Sequence, residues 1–210
     1  MDALTRPGHL ATRSEVLARP CPVPKKPGIY AWYFDVLPPG LSAEGCHGVS
    51  GHTLLYVGIS PSGPPTSAAS EKRRTLQRRI TIHYKGNAYS STLRLTLGCL
   101  LAGTLGITLQ RVGSGKCRTF TNRGEQALDA WMDQNAKVVW VPLARPWEIE
   151  AAVIGRLWLP LNIMDNERHP FCSTLREVRK AALHRALDLP IAPRDGTRFT
   201  TIARQEGSAR

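Results

Sequence analysis

Two short apolar runs stand out in the first third of the chain, at residues 28–34 (GIYAWYF) and 53–59 (TLLYVGI). Aromatic and β-branched side chains suit a pleated sheet, so each run predicts a strand. The segment between them, residues 35–52, is rich in Gly and Pro and predicts a long hairpin loop. Residues 1–24 contain four prolines and little periodicity, which predicts a mostly irregular lead-in.

Amphipathic periodicity in the rest of the chain predicts helices separated by short strands. Asn122 and Glu125 predict a capping box at the start of one helix, and Pro146 suits the first turn of another. This mixture of short strands and packing helices predicts an α+β domain. We expect helices at about 71–85, 91–102, 122–135, 146–157 and 172–187, and strands at 107–112, 116–119 and 137–141.

The charge of the chain is strongly positive, with 28 Lys and Arg against 16 Asp and Glu and a net charge of +12. An excess of this size predicts a polyanionic partner, of which nucleic acid is the commonest. No apolar run approaches the ~20 residues of a membrane span. The five cysteines form no Cys-x-x-Cys pair, which is typical of a reducing compartment. We therefore expect a cytoplasmic protein, associated with the nucleoid when it binds DNA.

The predicted helix at 71–85 is basic and carries two polar residues on an apolar face. Leu76, Arg79, Ile80 and His83 follow the spacing i, i+3, i+4 and i+7, so they share one face. Taken alone, Arg79 fits a salt bridge and His83 fits a hydrogen-bonded, half-buried histidine. Other cations of this region are weaker candidates for nucleic-acid contact, namely Lys72, Arg73, Arg74, Arg78 and Arg94.

The predicted helix at 146–157 places Glu150 on its apolar face. A carboxylate in such a position is costly unless it is paired or bound to a metal. An ion pair, for instance with Arg79, is the alternative to a metal site. Asn162 follows the helix in a Pro-Leu-Asn segment, which by itself is typical of a turn.

These residues form an ordered set in which the arginine precedes the histidine by four residues and the glutamate precedes the asparagine by twelve. The set resembles that of the GIY-YIG nuclease family over about residues 26–165, with YVG in place of YIG. The resemblance implies a small three-stranded antiparallel sheet flanked by helices. It implies a domain at 25–190, with insertions at 35–52 and 86–140 and a flexible polar tail at 191–210. The implied catalytic residues are Tyr30, Tyr56, Arg79, His83, Glu150 and Asn162.

The resemblance also implies an activity, the metal-dependent cleavage of DNA phosphodiester bonds. We expect Glu150 to bind a single Mg²⁺ or Mn²⁺ ion, and Arg79 to hold the scissile phosphate. We expect Tyr30 to activate water, with His83 as its proton acceptor or as the base itself. Tyr56 would orient water or phosphate, and Asn162 would fix the geometry of the site.

Two other functions fit the same residues: a non-catalytic nucleic-acid-binding module of this fold, and a structure-selective or RNA-cleaving nuclease. The basic stretch at 168–185 is either a further phosphate-contacting face or a solvated helix. The hydroxyl-rich segment at 87–94 is explained more simply by helix capping than by phosphate binding. Cys46, His47 and His52 lack a fourth ligand, so an ordinary loop is a simpler interpretation than a zinc site.

Overall fold

An antiparallel sheet lies at the centre of the computed structural model, which describes residues 1–194, with the backbone alone at residues 70 and 71. The polar tail predicted from residue 191 lies largely outside the described residues, although Ala192 pairs with the backbone on either side of Val112. The strands are β1 (Gly28–Phe34), β2 (Gly48–Val49), β3 (His52–Ser60), β4 (Gln110–Val112), β5 (Cys117–Thr119) and β6 (Ala136–Pro142).

The main sheet has four strands in the order β2-β3-β1-β6, and β4 and β5 form a separate hairpin. The α+β class is therefore confirmed, whereas the three-stranded arrangement is not. The additional strand β2 arises because the 35–52 loop turns back to pair with the start of β3. Strand β6 pairs with β1 over its whole length, so the stretch predicted as an insertion at 86–140 includes the start of a core strand.

Each of the five predicted helical segments contains helix, but the described residues hold nine α-helices, and three predictions are corrected. The lead-in at 1–24 contains two short helices, the second opened by a capping box of Thr12 and Glu15. The basic segment is two helices divided at Thr75, whose side chain caps the second. The helices are α1 (Asp2–Thr5), α2 (Arg13–Leu17), α3 (Ala68–Arg73), α4 (Leu76–Lys85), α5 (Thr92–Leu100), α6 (Ala102–Leu105), α7 (Thr121–Asn135), α8 (Glu150–Arg156) and α9 (Phe171–Asp188), with a 3₁₀ turn at Pro146–Glu148.

The third correction concerns α7, where the predicted capping box of Asn122 and Glu125 is wrong. The helix begins one residue earlier, at Thr121, and its N-cap residue Phe120 makes no side-chain cap. Glu125 instead accepts the backbone N–H groups of Phe120 and Ala88 at 3.2 and 2.8 Å. Its carboxylate therefore joins α7 to the segment that precedes α5, rather than closing a local box.

Strand β1 is buried along its whole length because helices cover both faces of the sheet. Tyr30, Trp32 and Phe34 alternate toward a core shared with α4, α5 and α7. The intervening residues of β1 face a second core, which α1 and α8 complete. Polar side chains on β1 are thus held rigidly inside the protein, and Tyr30 is one of them.

The described residues contain no helix that is both long and apolar enough to cross a membrane. All five cysteines are free thiols.

Candidate active site

Two neighbouring strands position the two tyrosines of the predicted site. Tyr30 on β1 stands opposite Gly58 on β3, and Tyr56 lies two residues before that glycine. A Cβ atom at Gly58 would lie only 2.6 Å from the Tyr30 phenolic oxygen and 3.0 Å from Cε1 of Tyr56. Position 58 therefore requires glycine, because the phenol rings of Tyr30 and Tyr56 occupy the space that a side chain would need.

Helix α4 brings Arg79 and His83 to Tyr30, as their shared helix face predicted. The phenolic oxygen of Tyr30 lies 2.8 Å from His83 Nε2. The same oxygen accepts a hydrogen bond from Arg79 Nε at 3.3 Å, and Arg79 Nη1 donates to the carbonyl oxygen of Ser90 at 3.1 Å. Tyr30 is thus held between a cation and an imidazole.

His83 is completely buried, and both of its ring nitrogens have partners. Nδ1 lies 2.7 Å from the hydroxyl oxygen of Ser91, the residue that caps α5. Burial, with smaller contributions from Arg79 and Arg94, holds the pKa of His83 well below its usual value. The imidazole is therefore neutral at pH 7, with Tyr30 at Nε2 and Ser91 at Nδ1.

Tyr30 is equally enclosed, with only 1% of the residue exposed. Burial raises the pKa of its phenol, Tyr56 and Glu150 add to this effect, and Arg79 opposes it. The phenol is therefore protonated at neutral pH. A phenolic O–H that donates to His83 Nε2 while its oxygen accepts from Arg79 satisfies all three groups.

An open cleft of about 300 Å³ reaches this cluster at Tyr56, whose ring centroid lies 6.3 Å from that of His83. Three of the six candidate residues line it: Tyr56, Glu150 and Asn162. Asp165 and Arg179 line the same cleft and were not predicted as site residues. Asp165 follows Asn162 by three residues in a turn, and Arg179 comes from α9.

Glu150 is the first residue of α8 and is half-buried at the wall of the cleft. Burial and the nearby Asp165 raise the pKa of its carboxyl, and Arg79 opposes the shift. No carboxylate–guanidinium contact within 4.0 Å joins Glu150 to Arg79 in the described part of the chain. The ion pair considered as an alternative is therefore not formed, and the carboxylate remains available to a ligand in the cleft.

Asn162 supports the site by binding backbone. Its Oδ1 accepts the N–H of Val57 at 2.9 Å and its Nδ2 donates to the carbonyl oxygen of Val57 at 2.8 Å. Next to it, the N–H of Leu161 donates to the carbonyl oxygen of Leu55 at 3.0 Å. Residues 161–162 therefore cover the outer edge of β3 on both sides of Tyr56.

Comparison with protein-family models matches residues 28–181 to the GIY-YIG catalytic domain. The chain belongs to the GIY-YIG family. The matched range includes both tyrosine strands, α4, α8 and most of α9. This catalytic domain is that of a nuclease family, so its substrate class is nucleic acid. Comparison with curated proteins and with solved structures gave no match.

A basic groove of about 270 Å³ lies between the end of β3 and the start of α4, and Arg79 lines it. Arg73, Arg74, Arg78 and Arg79 line it together with the turn after β3, and Lys72 is exposed on the adjoining α3. Four guanidinium groups around one groove create a local excess of positive charge. The groove fits the phosphate backbone expected of a GIY-YIG substrate.

The prediction that Arg94 contacts nucleic acid, by contrast, is wrong. Arg94 is completely buried, and its Nη2 lies 2.7 Å from Oε2 of Glu125 while Nη1 lies 2.8 Å from Oδ1 of Asp129. It also donates to the carbonyl oxygens of His83 and Tyr84 at 3.2 and 3.3 Å. Arg94 therefore stabilises the interior beneath His83 and cannot reach a substrate.

The donor set of the cleft fits the divalent metal that GIY-YIG nucleases generally use. Glu150 offers a half-buried carboxylate whose pKa is raised, so a cation beside it would relieve an unfavourable charge. Within residues 1–194 there is no cluster of three or more His, Cys, Asp and Glu side chains. A site with few protein ligands suits Mg²⁺, which keeps several waters and binds phosphate oxygens.

Proposed function

We propose that this GIY-YIG protein is a metal-dependent endonuclease that hydrolyses DNA phosphodiester bonds with a single divalent ion. One observation carries the proposal: the hydrogen-bonded Tyr30–His83–Arg79 cluster meets, at Tyr56, an open cleft in which the half-buried Glu150 has no ion-pair partner among the described residues. If Arg79 and Glu150 only stabilised the fold, we would expect them to form an ion pair with each other. Here each keeps capacity for a ligand.

Arg79 supplies positive charge to the scissile phosphate. Its guanidinium carries five N–H donors, and the bonds to Tyr30 and Ser90 use two of them. The remaining donors can hold a phosphate oxygen and stabilise the charge that develops as phosphorus is attacked. Because the same side chain contacts Tyr30, the phosphate and the proton-transfer group are placed next to each other.

Tyr30 and His83 accept the proton of the attacking water. As the water oxygen bonds to phosphorus, its proton moves to the phenolic oxygen and the phenolic proton moves to His83 Nε2. The phosphorus–oxygen bond to the leaving nucleotide breaks, and solvent protonates the released oxygen. The neutral state of His83 leaves Nε2 free to accept, and Ser91 fixes the imidazole from its other nitrogen.

Glu150 would hold the metal, which supplies Lewis-acid stabilisation of the phosphate and lowers the pKa of bound water. Tyr56 lines the cleft and orients water or phosphate beside it. The basic groove at Arg73, Arg74 and Arg78, with Lys72 exposed on the adjoining helix, binds the flanking backbone without reading sequence.

The test is cleavage of supercoiled plasmid with Mg²⁺, compared with EDTA and with the variants Glu150→Gln and Arg79→Met. Glu148→Gln is the matched control, because Glu148 is exposed two residues away and faces Arg145. We expect the two site variants to lose about 10²- to 10³-fold in rate, and the control to cut normally. Full activity in Glu150→Gln would place the metal elsewhere.

Two further outcomes separate the alternatives. Binding of plasmid without cutting in any divalent metal, for both DNA and RNA substrates, would favour a non-catalytic module. Preferential cutting of RNA or of branched DNA, with the same dependence on Glu150, would favour a nuclease of different specificity acting through the same site.

A further inference from the structure

Helix α9 carries one cation on its apolar stripe. Cys172, Leu175 and Ala186 are buried and lie on one face of the helix, and Arg179 occupies the same face four residues after Leu175. A guanidinium in such a place loses hydration, and in the interior it is normally paired with a carboxylate. The neighbouring Arg176 follows that rule on the surface, with its Nη2 2.9 Å from Oε1 of Glu167.

Arg179 has no such partner among the residues that the structure describes. Across residues 1–194, no hydrogen bond or ion pair engages its guanidinium. The side chain lines the cleft of Glu150, with the hydroxyl-bearing Thr92 at the start of α5 beside it. Burial lowers the pKa of Arg179, with Cys99 and Tyr56 opposing the shift. A half-buried cation is thus held at the wall of a cleft that Glu150 and Asp165 also line, and within residues 1–194 neither carboxylate lies within 4.0 Å of its guanidinium.

Tyr56 connects this arginine with the one on α4. It lines the same cleft as Arg179, and, against the lowering effect of burial, Tyr30 and Tyr56 together raise the pKa of Arg79. Two cations therefore lie close to one tyrosine, but Arg79 faces the basic groove and Arg179 the cleft. A polynucleotide strand presents one phosphate per nucleotide, so a strand that passes Tyr56 can meet both cations in turn.

We propose that Arg179 forms a second phosphate-binding site of this cleft, which holds a phosphate next to the scissile one. The inference rests on the proposed nuclease function, because it takes the strand in the cleft to be nucleic acid. The planar fork of the guanidinium suits two oxygens of one phosphate, and Thr92 adds a hydroxyl to the same wall. This contact is made equally in the bound substrate and in the transition state, so it contributes to affinity and not to the chemical step.

The experiment measures binding and cleavage for Arg179→Met, which keeps a long apolar stem, and for Arg179→Lys. Lys180→Met is the matched control, because it removes one charge at the next, exposed position of α9. Binding of a fluorescent duplex is followed in EDTA over a range of salt concentrations. Circular dichroism shows that each variant is folded, and Arg179→Gln replaces Arg179→Met if the latter is not.

We expect Arg179→Met to raise Kd about 10- to 100-fold and to lower the slope of log Kd against log salt concentration by about one. Arg179→Lys should keep the slope and lose part of the affinity, and Lys180→Met should stay within about twofold of wild type. At saturating DNA, the cleavage rate of Arg179→Met should remain close to that of wild type.

Equal affinity and slope in Arg179→Met and Lys180→Met would overturn the inference, as would a loss confined to the rate at saturation. Failure of the nuclease proposal is recognised separately. One such result is a wild-type protein that binds the duplex with a salt dependence that requires Arg179 and yet never cuts it. That result would support the phosphate-binding site and contradict the hydrolytic function. If wild type binds no nucleic acid, both fail.

Discussion

Asn162 pairs with Val57 as a neighbouring strand would. It exchanges two hydrogen bonds with the backbone of one residue, at 2.9 and 2.8 Å, through a side-chain amide. Strand β2 is only two residues long and covers β3 only at its start, so the edge beside Tyr56 needs another partner. Asn162 supplies that partner and thereby fixes the strand that carries Tyr56 and Gly58.

We expect Asn162→Ala to destabilise the fold and to slow cleavage, although Asn162 need not touch the substrate. The substitution leaves the buried N–H and C=O of Val57 unpaired, at a cost of about 1–3 kcal/mol for each group. Urea unfolding and plasmid cleavage measure the two effects. Asn122→Ala, at a partly exposed position on α7, is the control, and equal stability of the two variants would contradict the role of Asn162.

Gly58→Ala should inactivate the protein by moving the Tyr30 phenol. The new Cβ would lie 2.6 Å from the phenolic oxygen and 2.8 Å from Cζ. The ring cannot yield freely, because Tyr30 is buried and is held by His83 and Arg79. A displacement of this kind costs about 10²-fold in rate, measurable in the plasmid assay.

The matched control is Gly63→Ala, since a Cβ atom at Gly63 meets no atom within 4 Å. It should cut at the wild-type rate. An active Gly58→Ala protein would mean that the position of the Tyr30 phenol does not matter for the reaction.

Much of the site could be predicted because its residues are linked by short, regular spacings. Arg79 and His83 lie one turn apart on a helix, so any register that buries Ile80 brings both toward the sheet. Tyr30 and Tyr56 belong to adjacent strands of one hairpin. Local periodicity and topology thus favour bringing these four residues together, whereas their selection as a catalytic set came from the resemblance to the GIY-YIG family.

The remaining features depend on contacts between distant segments, which periodicity does not reveal. Arg94 looked like a surface cation because its carboxylate partner Glu125 is 31 residues away. Asp165 lies in a turn and has a positive φ of 56°. The spacing of residues along the sequence does not predict such a backbone conformation. Arg179 could have been recognised in the sequence as a single cation on an otherwise apolar helix face. It was overlooked because the helix contains several other basic residues.

Arg94→Met should destabilise the protein more than the loss of any surface cation. It leaves the buried carboxylate of Glu125 without its counter-charge and Asp129 with Arg13 as its remaining ion-pair partner, and breaking a buried ion pair from one side costs about 3–5 kcal/mol. Arg78→Met, on the exposed side of α4, should keep the stability and weaken DNA binding instead. Denaturant unfolding and duplex binding of both variants test the contrast; similar stability of the two would contradict it.

Glu150→Gln should make the metal-free protein more stable at pH 7. The folded-state pKa of Glu150 is raised by burial and by Asp165, so its ionised form is disfavoured in the folded protein above that pKa. The gain should vanish as pH falls through the raised pKa, because the wild-type carboxyl then becomes protonated as well. Thermal unfolding with and without Mg²⁺ adds a second readout.

Mg²⁺ should raise the unfolding temperature of wild type, since it binds only the folded chain, and should leave Glu150→Gln unchanged. A metal-free Glu150→Gln protein that is less stable than wild type at pH 7 would show that the carboxylate is structural.

His83 should make the stability of the fold fall in mild acid. Its folded-state pKa lies well below the usual 6.5, so below that pH the unfolded chain binds more protons than the folded one. Stability should therefore be insensitive to His83 above about pH 6.5 and should decrease by up to about 1.4 kcal/mol per pH unit below it, until the folded-state pKa is reached. Protonation of the imidazole is disfavoured because it is buried close to Arg79 and Arg94.

The measurement is the free energy of unfolding from pH 5 to 8 for wild type and for His83→Gln, whose amide does not titrate. Burial also lowers the pKa of His169. Because wild type and His83→Gln both contain His169, only the difference between their pH profiles reports on His83. The variant should show a shallower slope below pH 6.5, whereas His184→Gln, on the exposed side of α9, should match wild type. Identical slopes for wild type and His83→Gln would mean that folding does not lower the pKa of His83, and the effect of burial on this imidazole would then be wrong.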